Sequence, residues 1–278
     1  GTSGGAIAYG ETNDKESIAA LKKAQELGVN FFDTADLYGF GHSESLLGKT
    51  FLKSRQDIII ASKVGFSNFN EVQDFSQHHI LKSVENSLRR LNTDYIDIYQ
   101  LHSPKIEVLK QNPDIIDTLK NLKREGKIRL IGISLRSPDD GLTAIREFQF
   151  DTIQVNCNLV DQRALDNGLL RKCEEKGIGV IIRTPLCFGF LTGAYTVDTI
   201  FHPLDQRRKW SKKQISKWAE SYRLFIENLS AKEESTNAQY ALRFCLSCPG
   251  VSTVIPGMIT VQHVEENLKS SSLGKLNE

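Results

Sequence analysis

Short β-branched runs alternate strictly with amphipathic helical patterns from end to end of this chain, and that alternation limits its fold more than any other feature. The runs Asn30–Thr34, Asp57–Lys63, Tyr95–His102, Ile128–Ser134, Thr152–Asn156, Gly179–Thr184 and Val251–Pro256 are apolar almost throughout. Strands buried on both faces have that character, and parallel sheets bury both faces. Between them, Ser17–Leu27, Ser43–Leu52, Ile80–Leu91, Asp114–Glu125, Leu142–Phe148, Leu165–Lys176, Asn237–Cys245 and Val261–Ser270 repeat apolar residues at i, i+3 and i+4, the spacing of a helix with one buried face. Alternating strands and helices imply a parallel sheet. One further strand before Gly1 would complete eight units and close a (β/α)8 TIM barrel. Gly1-Thr2-Ser3 reads as the loop after that first strand. An open doubly wound sheet would carry G-x-G-x-x-G after its first strand, and Gly1-Thr2-Ser3-Gly4-Gly5 lacks that spacing,.

The length of 278 residues suits a single such barrel, so residues 1–278 read as one domain. The long irregular stretch 187–211 reads as a lid loop, since idle loops of that length are rare in compact barrels. A net charge of +1 gives no reason to invoke nucleic acid or a membrane surface. The basic stretch Arg207 to Lys217, with Trp210 and Trp218, reads as a solvated helix face following the lid. Five scattered cysteines, two of them in Cys245-x-x-Cys248, suit free thiols in a reducing compartment, which predicts a cytoplasmic protein. No second such pair exists to complete a zinc site. The chain has no apolar run approaching the ~20 residues of a membrane span.

Barrels of this class carry their chemistry at the C-terminal ends of the strands. Asp33, Lys63 and His102 end three consecutive predicted strands, and Tyr38 follows Asp33 by five residues. Each alone has an ordinary explanation as a turn, packing or capping residue. Lys63 is the hardest to dismiss, because it follows Ile58-Ile59-Ile60-Ala61 and a buried lysine needs a partner. Together they form an acid and an orienting donor. A lysine beside a phenol favours the phenolate, so Tyr38 becomes a usable proton donor near neutral pH, with Asp33 holding Lys63 charged. His102 can donate a hydrogen bond to a substrate oxygen. The group contains no activated nucleophile and no metal cluster. It suits protonation of an alkoxide forming on a carbonyl, with hydride supplied by a cofactor.

The chain resembles the aldo-keto reductases along its whole length. The segment Asp33-Thr34-Ala35-Asp36-Leu37-Tyr38-Gly39 with Gly41-His42-Ser43-Glu44, and the segment Leu88 to Asp97 with Gln100-Leu101-His102, match the family's long motifs. The resemblance implies that the family's tetrad falls on Asp33, Tyr38, Lys63 and His102. It implies NADP(H) or NAD(H) extended across the barrel top, and a small-molecule carbonyl substrate. On the same basis Ser134 and Gln154 would hold the nicotinamide carboxamide, with Asn156 a third amide neighbour, and Thr2 and Asp33 would also bind the cofactor. Arg183, Thr184, Pro185 and Leu186 lie where relatives place a ring against the nicotinamide. Leu186, Gly189, Leu191 and Gly193 resemble the strap over the pyrophosphate, and Gly257, Met258, Ile259, His263, Glu266 and Asn267 resemble the adenosine-phosphate site. NADP-selective relatives carry arginine or lysine where Met258 and Ile259 stand, leaving His263 as the candidate cation. Arg183, Asn68 and Arg136 would add polar contacts to a sugar-like substrate, and Phe40, Phe66 and Phe69 would wall it. The family also includes potassium-channel β subunits, so a cofactor-bound regulatory protein is the second functional class.

Overall fold

A computed structural model of the chain describes residues 12–66, 72–203, 205–226 and 234–276. Its strands are β1 (Phe31–Asp33), β2 (Ile59–Val64), β3 (Ile96–His102), β4 (Ile128–Ser134), β5 (Thr152–Asn156), β6 (Gly179–Arg183) and β7 (Val251–Ile255). They neighbour one another in chain order, and every pairing is parallel. The helices that return the chain are α1 (Asp14–Glu26), α2 (His42–Thr50), α3 (Gln77–Leu91), α4 (Ile106–Gln111), α5 (Asp114–Arg124), α6 (Pro138–Glu147), α7 (Arg163–Asp166), α8 (Leu169–Glu175), α9 (Lys212–Phe225), α10 (Asn237–Ser247) and α11 (Val261–Ser272).

The sheet curls into a nearly closed barrel. Phe31 of β1, Ala61 of β2, Ile98 of β3, Ile181 of β6 and Ile255 of β7 pack into one cluster, so the first and last of these strands share the interior. Outside, α1 meets α11 through Lys23 and Glu265 at 3.4 Å. Residues 1–11, where the loop after a further strand was expected, lie outside the described residues, as does Thr2. Alternation along each strand then sorts the side chains. Ile60, Ile96, Ile133, Ile153 and Ile182 face the helices in the main core. Lys63, Gln100, Ser134 and Gln154 stand two residues along from interior positions and are buried as polar groups. At Gly132 a Cβ would lie 2.5 Å from the Thr152 hydroxyl and 2.7 Å from Gln100 Cγ. The missing side chain is what lets Gln100 cross the interior.

Three helices begin where the sequence reading places them, at Asp114, Asn237 and Val261, and others begin earlier. α1 and α3 begin three residues before their apolar spacing does, because Asn13 and Ser76 cap them by accepting from Lys15 N (2.8 Å) and His79 N (3.3 Å). A polar first turn is set by its cap and is silent in apolar periodicity. The single helix expected over Leu165–Lys176 is two, α7 and α8, divided at Gly168, whose φ of +77° interrupts the helical backbone. The basic stretch is divided: Arg207, Arg208 and Lys209 lie in a short helical turn that ends at Trp210, Lys212, Lys213 and Lys217 lie in α9, and Trp210 and Trp218 are half-buried. They pack on Phe188 at 4.8 and 5.3 Å between ring centroids, and on Phe190 at 6.4 and 5.6 Å. All five cysteines are buried thiols. Cys245 donates to the Cys157 carbonyl and Cys248 to that of Phe244, each at 3.4 Å.

Candidate active site

At the C-terminal mouth of the barrel, β1 ends on Asp33, β2 carries Lys63 one residue before its end, and β3 ends on His102. Lys63 is completely buried. Its ammonium donates to Asp33 Oδ1 and to the Thr34 carbonyl at 2.8 Å, and lies 5.0 Å from the centroid of the Tyr38 ring. Burial alone would favour the neutral amine. The Asp33 carboxylate and the Tyr38 phenol outweigh it and hold the Lys63 value above that of an ordinary lysine,. The second Asp33 oxygen accepts from Gln100 Nε2 (3.2 Å) and Gln154 Nε2 (2.7 Å). Side chains from three other strands thus converge on one carboxylate, which satisfies the requirement that a buried charge be paired,.

Tyr38 lies on the turn after β1 and is 41% exposed, so its ring faces the open mouth while its neighbours are interior. Its ring meets that of His102 edge-on at 6.0 Å. Burial, reinforced by the positive charges of Lys63 and Arg183, pushes the His102 imidazole down to about 3. The ring is therefore neutral near pH 7. Phe66 packs edge-on against its other side at 5.0 Å. Asp33, Tyr38, Lys63 and His102 are therefore brought together as the sequence predicts.

Beneath this group lies a second acidic cluster that sequence reasoning missed. Glu44 of α2 is fully buried and accepts from Ser62 Oγ and from Arg90 Nε, the latter at 2.7 Å. Asp36 is pushed up to about 7 by burial first and by Glu44 second, and its Oδ1 has no partner among the described residues. Both residues belong to the motif around Tyr38, but nothing in a linear pattern tells which carboxylates share a pocket.

Around the rest of the mouth, Ser134 and Gln154 pair in register on β4 and β5, and the serine hydroxyl donates to the glutamine Oε1 at 3.2 Å. Asn156 accepts from the Thr184 hydroxyl at 2.6 Å, and Arg183 donates to the Leu135 carbonyl at 3.0 Å. Thr184, Cys187, Phe188 and Gly189 all take left-handed backbone angles, so the strap after β6 is a chain of tight turns. Pro185 and Leu191 are buried, and Leu186 and Gly193 are half-buried. Arg207 closes this strap from above: it donates to the Phe188 carbonyl at 2.8 Å, pairs with Asp205 at 2.6 Å, and stacks on Tyr195 and Phe201. At the far rim Gly257, Ile259 and His263 are exposed, Met258 and Glu266 half-buried, and Asn267 buried. Thr260 caps α11 by accepting from His263 N at 3.2 Å, and His263 Nδ1 accepts from Ile259 N at 3.4 Å. Arg136, a candidate polar contact for the substrate, donates to the Ser103 carbonyl (2.6 Å) and to Gln73 (2.7 Å). Asn68 and Phe69 lie outside the described residues.

The model of the Aldo/keto reductase family matches residues 1–278. The chain belongs to that family. It is 33% identical over 275 residues to the uncharacterized oxidoreductase YqkF of Bacillus subtilis, spanning 96% of this chain and 86% of that one. It is 31% identical over 269 residues to the aldo-keto reductase yakc [NADP(+)] of Schizosaccharomyces pombe, spanning 93% and 78%. The holo form of aldo-keto reductase AKR11C1 from Bacillus halodurans superposes with a TM-score of 0.78 at 28% identity, covering 98% of this chain and 88% of that one. The aldo/keto reductase family and these oxidoreductase relatives make the chain an NAD(P)H-dependent oxidoreductase acting on a small molecule. No helix among the described residues is long and apolar enough to cross a membrane.

Proposed function

We propose that this protein reduces an aldehyde or ketone to the alcohol, with Tyr38 as the proton donor and hydride supplied by NADPH or NADH. The observation that carries this reading is the buried Lys63 ammonium, fixed by Asp33 and the Thr34 carbonyl and set 5.0 Å from the Tyr38 ring. A fixed positive charge there stabilises negative charge on the phenol oxygen, which is the charge Tyr38 acquires on giving up its proton. His102, neutral and beside the same ring, directs the carbonyl oxygen toward that proton. Asp33 touches no substrate in this scheme and positions Lys63.

The residues at the mouth suit a dinucleotide. Ser134 and Gln154 form a buried polar pair beside Asp33, which fits a carboxamide. The strap held down by Arg207, with Gly189 at φ +92°, fits a lid over a pyrophosphate. Gly257 has open space around it, and α11 begins just beyond on its Thr260 cap. Exposed backbone N–H groups at a helix start favour a phosphate. When bound, the dinucleotide supplies the hydride. This chain's residues hold it, shut out water under the strap and deliver the proton.

We further propose that the protein uses both dinucleotides. Met258 and Ile259 offer no charge to a 2'-phosphate, and Arg207 is engaged with Asp205 and the Phe188 carbonyl. The test is loss of NAD(P)H absorbance against a panel of aldehydes, ketoaldehydes and sugars, with Tyr38→Phe beside the wild type. Loss of a general acid lowers turnover by about 10²–10⁴-fold. A Phe variant that turns over like the wild type removes Tyr38 from the role.

A further inference from the structure

His102 has an orientation problem that its own side chain does not solve. Its Nδ1 is buried and has no hydrogen-bond partner among the described residues. Functional histidines are usually aimed by a hydrogen bond on the second ring nitrogen. Here the ring is aimed by its two aromatic neighbours, Tyr38 and Phe66, and by the backbone from which it springs. That backbone is strained. Ser103 follows with φ +54°, a left-handed conformation that is unfavourable for a non-glycine residue. The turn is pinned by Ser103 N, which donates to the Leu101 and Ser134 carbonyls at 3.1 and 2.9 Å.

Gln73 occupies the opening this turn creates. Its Nε2 donates to the His102 carbonyl at 2.8 Å and to the Ser103 carbonyl at 3.0 Å. Its Oε1 accepts from Arg136 Nη2 at 2.7 Å, while Arg136 Nε donates to the same Ser103 carbonyl at 2.6 Å. Both amide hydrogens and the amide oxygen are therefore used, a pattern that glutamate cannot reproduce because it has no donors. Gln73 also pairs across an antiparallel bridge with Phe66, the residue whose ring lies against His102. Gln73 thus ties the ends of β3 and β4 together through its amide, and that of β2 through its backbone, around the histidine.

We propose that Gln73, locked by Arg136, is a positioning residue that aims His102 at the carbonyl oxygen. The proposal rests on the reduction mechanism given above. A neutral imidazole contributes only through the direction of its hydrogen bond, and displacing such a donor by about 1 Å can cost as much as 10²-fold in rate. A surface staple of the same geometry would affect stability and leave the chemistry alone, so the two roles separate experimentally.

The test uses the whole chain with NADPH, methylglyoxal and 4-nitrobenzaldehyde as probes, and three variants. Gln73→Met keeps the volume and removes the amide bonds. Gln73→Glu keeps an acceptor for Arg136 and removes the donors. Arg136→Met removes the lock on Gln73 and Arg136's own bond to the Ser103 carbonyl. Both Gln73 variants are expected to lower kcat by about tenfold, the scale of one or two lost hydrogen bonds. KM moves less than kcat, and the dissociation constant for NADPH is unchanged. Arg136→Met gives a smaller loss, and the double variant loses less than the two single losses combined, because part of the Arg136 effect runs through Gln73. Independently of turnover, the His102 imidazole resonances, identified by their absence in His102→Gln, are expected to shift or broaden in Gln73→Met. Loss of turnover in Tyr38→Phe, with wild-type kcat and unmoved His102 resonances in Gln73→Met, overturns the positioning role and leaves the mechanism intact. Wild-type turnover in Tyr38→Phe overturns the mechanism itself.

Discussion

Removing the Asp33 carboxylate should strand the most deeply buried charge in the site. In Asp33→Ala the Lys63 ammonium keeps the Thr34 carbonyl at 2.8 Å but loses its counter-ion, while Gln100 and Gln154 each lose an acceptor. Breaking one side of a buried pair costs about 3–5 kcal/mol. At about 2–4 °C per kcal/mol for a chain of this size, the melting temperature should fall by about 6–20 °C. The sign of the pH dependence identifies the cause. In the wild type the folded Lys63 value lies above the ordinary 10.5, so its contribution is complete below that pH and is lost only as pH rises through the folded value. In Asp33→Ala burial is opposed by Tyr38 alone, and the folded value falls,. The unfolded chain then holds more protons, and stability should rise with pH from neutrality to about 10. Urea midpoints at a constant m-value, taken from pH 7 to 10, measure both effects. Asp33→Ala/Lys63→Met, which removes the stranded charge, should be more stable than Asp33→Ala. A loss under about 1 kcal/mol with parallel pH slopes for wild type and Asp33→Ala would refute the argument, since that is the worth of an exposed pair.

His102 is held near 3, so kcat/KM should show no limb attributable to a histidine between pH 5 and 8, and a limb lost in His102→Gln would contradict the neutral assignment. Asp36, raised from 3.8 to about 7, keeps its proton on folding where the unfolded chain has lost it. Its contribution to stability should therefore decline from about pH 4 to about pH 7 and level off above, and Asp36→Asn should gain stability relative to wild type across that window in urea titrations at each pH. Ile259→Arg should tighten NADPH binding by about ten- to hundredfold and leave NADH unchanged; a wild-type preference for NADPH of that size already, by fluorescence titration, would show that another cation grips the phosphate.

The fold and the heart of the site were legible in the sequence because both depend on short-range periodicity. Apolar runs between helical spacings define parallel strands wherever both faces are buried, and period-two alternation then points every second residue inward. Asp33, Lys63 and His102 needed only to end successive strands to meet. Boundaries set by caps, such as Asn13 and Ser76, and the break at Gly168 are decided by single backbone contacts that periodicity averages over.

Other features exist only once the sheet curls. Gln154 reaches Asp33 across 121 residues of chain and Gln100 across 67, joined by the interior of a barrel and by no pattern along the strand. Asp36 and Glu44 interact only in the folded chain, where burial and the Glu44 charge raise the Asp36 value. Arg136 and Arg207 read in the sequence as free cations, yet the structure engages each: one on the turn after His102, one on the strap after β6. A charge written in the sequence states what a residue can bind, and only the tertiary structure decides whether the protein's own carbonyls and carboxylates reach it first, because that competition turns on distances of a few ångströms between segments remote in the chain.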